Sequence, residues 1–144
     1  MALPKSQSRA ILGKGWAFPF GFSGGATASN RGVETVEDIE AIKASLTQVI
    51  GCAIGSRIMR RNYGSGLKDL VFEPNQPEFE LFAEHVIREG VAAWERRVVL
   101  GPITYDRVDK DKGRIYIDVE FTVIKTQVTS NLIYPYYLNG AQVA

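Results

Sequence analysis

From Thr35 onward, apolar side chains recur at three- and four-residue spacing: Val36, Ile39, Ile42, Leu46, Val49 and Ile50. That period gathers them on one stripe of an amphipathic helix. Thr35 is the expected N-cap, Asp38 completes an approximate capping box, and Gly51 is the expected stop. A second helix is predicted from Pro77, a residue tolerated at the first helical position, to about "WERR". Phe79, Phe82, Val86 and Trp94 mark its buried side, broadened by Leu81 and Ile87. Between the helices, "GSRIMRRNYGSG" reads as a loop and "LKDLVF" as one or two short helical turns, with Pro74 and Pro77 as punctuation.

Past the second helix the period changes to two. In "RIYIDVEFTVI", Ile115, Ile117, Val119, Phe121 and Val123 face one way, while Arg114, Tyr116, Asp118, Glu120 and Thr122 face the other. With "RVVLGPITYDRV" it forms an antiparallel hairpin across the polar turn "DKDKG", closed by Gly113. "NLIYPYYL" follows. Pro135 cannot donate to a central ladder, so this stretch is predicted to be a C-terminal edge strand or a bend. A bare edge beside tyrosines invites pairing unless another chain covers it. On the residues alone, Asn131, Leu132, Ile133, Tyr134, Tyr136 and Tyr137 belong either to a last core strand or to a contact with such a chain.

Residues 1–33 have no helical period. Trp16, Phe18, Phe20 and Phe22 alternate around Pro19 among flanking glycines, the pattern of an extended arm rather than a regular strand. Trp16, Phe18 and Phe20 are its expected anchors, on its own domain or on a neighbour. The expected organisation is an arm over residues 1–33 and one domain over residues 34–144. Its class is α+β, a small antiparallel sheet packed against two main helices.

The 144 residues carry a formal net charge of +1, so bulk electrostatics recruit neither nucleic acid nor an anionic membrane. No apolar run approaches the ~20 residues of a membrane-spanning helix. The N-terminus lacks the apolar core of a signal peptide, which favours folding in the cytoplasm. Cys52 is the single cysteine and His85 the single histidine, so no intrachain disulfide is expected and structural zinc lacks a ligand set. Neither a metal nor another cofactor is expected. Cys52, in "VIGCAIG", reads as a small buried hydrophobe.

Catalytic patterns are weak. His85 lies mid-helix with no nucleophile in a recognisable context. Glu73, Glu78, Glu80, Glu84, Glu89 and Glu95 offer carboxylates for a glycosidase pair, but most fall on solvent faces of the second helix. No glycine-rich phosphate loop follows a strand. What stands out is arginine: Arg57, Arg60 and Arg61 in the loop, and Arg96 and Arg97 at the helix end. Guanidinium groups bind carboxylates and carbonyls in two-pronged fashion and stack on aromatic rings. The chain therefore reads as an assembly part rather than an enzyme.

Five segments, "GWAFPF", "VEDIEAIKASLTQVIG", "GSRIMRRNYGSGLKDLVFEP", "VAAWERRVVLGPI" and "NLIYPYYL", together resemble the small baseplate wedge proteins of contractile tails, the gene-product-twenty-five-like or "tail lysozyme" family. The family loop motif is matched by Gly55, Arg57, Tyr63 and Gly64, with Ser56 in place of glutamate and Arg61 in place of proline. The family's Glu-Pro-Arg signature is matched by Glu95 and Arg97, with Arg96 at the proline position. The resemblance implies a structural role in a six-fold baseplate, joining the wedge core to the first sheath ring and templating sheath assembly. Implied partners are the larger wedge subunits and the sheath protein, with inner tube or hub proteins as further candidates. Trp94, Glu95, Arg96 and Arg97 would dock on the wedge core, supported by Arg57, Arg60, Arg61, Tyr63 and Gly64. The implied location is the baseplate of a virion tail or injection particle, assembled in the bacterial cytoplasm. A peptidoglycan-cleaving muramidase, or a regulatory binding module of the same fold, is the alternative.

Overall fold

In the computed structural model, residues 12–23, 32–72, 77–109 and 114–137 are described. The chain divides into two compact units, residues 1–45 and 46–144, and the boundary falls inside the first helix.

In the first unit the chain folds back on itself in two short antiparallel ladders. Strand β1 (Lys14–Trp16) pairs with β4 (Thr35–Glu37), and β2 (Phe22–Ser23) with β3 (Gly32–Val33). Lys14 and Glu37, cross-strand partners, also form an ion pair at 3.6 Å. Two backbone hydrogen bonds join the intervening residues as well: Ala17 N donates to Glu34 O, and Glu34 N to Gly21 O. The segment expected as an irregular arm thus contains regular pairing. Trp16, Phe18 and Phe20 keep their rings exposed and meet edge to face.

Helix α1 runs Asp38–Gly51. Its end at Gly51 matches the expected stop; its start does not match the expected N-cap. Thr35 belongs to β4 because it pairs with Trp16, and the turn into the helix is made at Asp38, whose φ is 57°. Aspartate is among the few non-glycine residues that visit this left-handed region readily. Ala41, Ile42, Leu46, Val49 and Ile50 form the buried stripe.

In the second unit, a 3₁₀ helix (Gly66–Phe72) and helix α2 (Pro77–Trp94) lead into strands β5 (Val98–Asp109), β6 (Arg114–Val123) and β7 (Thr129–Tyr137). The three strands form one antiparallel sheet in the order β5-β6-β7. The alternation of β6 is the observed one: Ile115, Ile117, Val119, Phe121 and Val123 are all buried. The α+β class therefore holds. The polar turn expected at residues 110–113 lies outside the described residues.

The register of β7 corrects the reading of "NLIYPYYL". Leu132, Tyr134 and Tyr136 pair with Val119, Ile117 and Ile115. Cross-strand partners share a face, so these three lie on the core side. Tyr136 is only 2% exposed, its ring is 5.8 Å from that of Phe79, and its hydroxyl donates to Leu67 O at 2.9 Å. It is a core residue and not a partner contact. Asn131, Ile133 and Tyr137 occupy the opposite face.

Helix α2 is corrected too. Phe79, Ala83, Ile87, Gly90 and Val91 are buried, whereas Leu81 and Phe82 are exposed. Small residues complete the stripe where Phe82 was expected. Arg88 ties this helix to β5, donating to Leu100 O and Gly101 O while pairing with Glu84. Cys52 is half-buried, with its sulfur 3.2 Å from Ser56 Oγ, rather than enclosed as expected.

Candidate functional site

The loop after α1 and the end of α2 come together in the second unit. Gly64 is the hinge. Its φ of +118° is a conformation that L side chains rarely adopt, and a Cβ there would strike the carbonyl of Cys52. Across from it, a Cβ on Gly90 would stand 2.9 Å from Gly64 O, so two glycines allow the loop backbone to lie directly on α2. Ser65 locks this geometry: its N–H donates to Cys52 O at 3.1 Å and its hydroxyl to Ile50 O at 3.0 Å.

On this base the loop builds a stack. Tyr63 packs on Trp94 with ring centroids 5.0 Å apart, and the indole N–H of Trp94 donates to Asn62 O at 3.1 Å. The Arg57 guanidinium lies 4.0 Å over the Tyr63 ring and also donates to Gln48 Oε1. Arg60 lies 5.8 Å over Trp94. Cations over aromatic faces are held electrostatically, so both arginines carry their charge in set positions. Burial pushes the Tyr63 phenol above its ordinary pKa range, and nearby Arg57 opposes this without cancelling it.

The helix end supplies the second element. Glu95 N makes the last helical bond, to Val91 O at 2.8 Å, and the chain then leaves the helix. Residues two apart do not face each other on a helix. The turn at Arg96 and Arg97 lets them do so: Arg97 Nε and Nη2 reach the two Glu95 oxygens at 2.7 and 2.6 Å. Arg97 N also donates to Glu95 Oε1 at 3.3 Å, and Arg97 O accepts from Ile124 N at 3.0 Å. The Glu95 carboxylate thus braces the turn that follows the helix, with Arg96 between the two partners. Its hydrogen bonds raise the Arg97 pKa and fix that side chain as a cation.

Glu95 is 4% exposed. The expectation that its carboxylate itself grips a partner is corrected: it faces inward and positions Arg97. Arg61 and Arg96 are exposed, Trp94 and Arg97 half-buried. Beside the stack lies a concavity of about 300 Å³, lined by Ile54, Asn62, Ser65, Val86, Gly90 and Trp94 among others. The sequence placed the arginines but not this concavity, which depends on the Gly64–Gly90 approach. Among the described residues, no cluster of His, Cys, Asp or Glu has the makings of a metal site. No helix there is long and apolar enough to cross a membrane.

The arrangement presents fixed guanidinium groups, two aromatic rings and a shallow apolar hollow on one surface. Such a surface fits protein docking. Comparisons with known proteins give the family. Over 73 residues the chain is 38% identical to baseplate protein W of Escherichia phage P2, a match covering 51% of this chain and 64% of that protein. The fold is similar to the crystal structure of a Geobacter sulfurreducens protein described as a tail lysozyme, with 33% identity and a TM-score of 0.66. That match covers 72% of this chain and 93% of the other. It is also similar to a chain of the six-fold symmetrised baseplate of the anti-feeding prophage, with 27% identity and a TM-score of 0.62, covering 95% and 94%. The family model for baseplate wedge protein gp25 matches residues 36–128, the span holding both helices, the loop stack and the hairpin, and the chain belongs to that family.

Proposed function

We propose that this chain is a non-catalytic connector that joins the wedge core of a contractile-tail baseplate to the first sheath ring and templates sheath assembly. The observation that carries the sheath half of this reading is strand β7. It pairs with β6 in unbroken register from Thr129 to Tyr137, and its other side is the rim of the sheet among the described residues. An incoming strand would add there through main-chain hydrogen bonds, with Ile133 and Tyr137 available on the open face. The wedge half rests on the stack of Arg57, Arg60, Tyr63 and Trp94 with Arg97. Larger wedge subunits are the partner on that side, in a six-fold particle assembled in the bacterial cytoplasm.

An Ile133→Pro variant tests it. Proline removes an N–H from a position that the register places with Pro135, so pairing with β6 should survive while an added strand is blocked. Cryo-microscopy should then find baseplates that carry the protein but no sheath. Normal sheaths on such baseplates would sink the strand-addition reading.

The name of the Geobacter relative favours a second reading, a muramidase. It requires an acid held unpaired in a cleft. Among the described residues the one acid buried as a whole is Glu95, and both its oxygens are engaged by Arg97; half-buried Asp38 has an enclosed oxygen without a hydrogen bond, but it sits at the start of α1, in the first unit. A zymogram with clear lysis, abolished by a single Glu→Gln change, would reverse this choice.

A further inference from the structure

The loop that carries the stack also holds two large apolar side chains away from the protein. Ile58 and Met59 are 92% and 94% exposed. Met59 sits at φ 62°, the left-handed region that favours glycine. A bulky residue kept in that conformation, with its side chain in water, adds nothing to the fold that glycine would not supply. The tip is also braced from behind. Gly55 N donates to Arg61 O at 2.7 Å, Ser56 Oγ to Ala53 O at 2.7 Å, and Tyr63 N to Arg60 O at 3.0 Å. With Arg57 on Tyr63 and Arg60 over Trp94, the loop has little freedom to fold its tip inward. Rigid apolar anchors of this kind reduce the ordering cost of association.

Charge selects the partner. Arg57, Arg60 and Arg61 surround the tip, and no acidic residue occurs from Gly51 to Lys68. We propose that Ile58 and Met59 form a docking anchor that inserts into an apolar pocket rimmed by carboxylates on a larger baseplate wedge subunit. This rests on the reading of the chain as a wedge connector and adds the chemistry of the contact. An anionic membrane fits less well. Two side chains give a shallow anchor, and two of the three arginines lie on aromatic rings rather than reaching toward lipid.

The experiment uses the full chain and the purified larger wedge subunits of the same particle, with affinity measured at low and at raised salt. The Ile58→Ser/Met59→Ser variant should bind roughly 30-fold or more weakly, with an unchanged melting temperature. Met59→Gly should melt at the same or a higher temperature, because it relieves the backbone, yet bind roughly tenfold more weakly. Arg61→Glu should weaken binding at low salt more than at raised salt. If the wild-type chain binds and the double variant binds within about twofold of it, the anchor is refuted while the connector reading stands. If the wild-type chain binds none of the wedge subunits, both fail. If the tip is needed only for binding to phosphatidylethanolamine–phosphatidylglycerol vesicles, a membrane contact replaces the proposal.

Discussion

The pair formed by Glu95 and Arg97 is asymmetric, and the asymmetry predicts the order of two substitutions. The Glu95 side chain is 4% exposed and that of Arg97 37%. Arg97→Ala removes the guanidinium from a carboxylate that water scarcely reaches, and breaking a buried pair in this way costs about 3–5 kcal/mol. Glu95→Ala leaves instead a guanidinium that already touches solvent. The lost charge-assisted bonds are then partly offset by rehydration, and the cost falls to about 1–2 kcal/mol. Removing both should cost less than Arg97→Ala alone, because no buried charge is left behind. Urea unfolding of the wild type, both single variants and the double variant at neutral pH gives the cycle directly. The reasoning fails if Glu95→Ala is the more damaging single change, or if the double variant is less stable than Arg97→Ala.

Further outcomes follow from the core and the loop hinge. Tyr63, Tyr105 and Tyr136 all have phenol pKa values raised mainly by burial, so these three of the six tyrosines should ionise late when absorbance is followed against pH. Because the folded chain holds those protons more tightly than the unfolded chain, their stabilisation is complete below pH ~10 and is lost as pH rises through the folded values; stability that stayed level on the way to tyrosine ionisation would contradict this. Gly64→Ala combines a forbidden φ with a backbone clash at Cys52 and should cost roughly 3 kcal/mol or more in the same unfolding assay. Tyr136→Ser should cost about 3–5 kcal/mol, as expected for emptying a core aromatic site, whereas Ile133→Ser on the open face should stay within about 0.5 kcal/mol of wild type.

Much of this was legible in the chain, and the failures share a cause. The alternation of β6 survives because one buried face imposes a strict period of two. The start of α1 was misplaced because Thr35 is claimed by Trp16, a partner that local periodicity does not reveal. On α2 the large apolar residues mark only part of the buried side: Phe79 and Ile87 are buried, whereas Leu81 and Phe82 are exposed. The stripe Phe79, Ala83, Ile87 and Gly90 has equally good helical spacing, and its small members let the loop approach. In β7 every side chain from Leu132 to Tyr137 is apolar or aromatic, so the sequence does not mark a core face; pairing of Thr122 with Thr129 across the turn sets it. At the site, the arginines and the Glu95–Arg97 spacing were visible. The inward turn of Glu95 was not, because it depends on where the helix stops.

The two rims of the sheet differ in how well each would pair with a further strand. Each carries a proline on its outer strand, Pro102 in β5 and Pro135 in β7. Around Pro102 the register with β6 shifts between Leu100 and Ile103, and it shifts again between Asp106 and Asp109. Such bulges twist an edge away from regular pairing. The carbonyls of Leu100 and Gly101 are also taken by Arg88 from α2. An incoming strand at β5 would meet a broken ladder and occupied acceptors. Along β7 the ladder to β6 is continuous, and the odd-numbered positions that alternate with the core residues include Pro135. With the proline's missing donor directed outward, the β6 ladder keeps its bonds and the outer edge loses only one. Among the described residues the fold thus blocks the rim at β5 and leaves the rim at β7 regular, the condition that the proposed sheath contact sets.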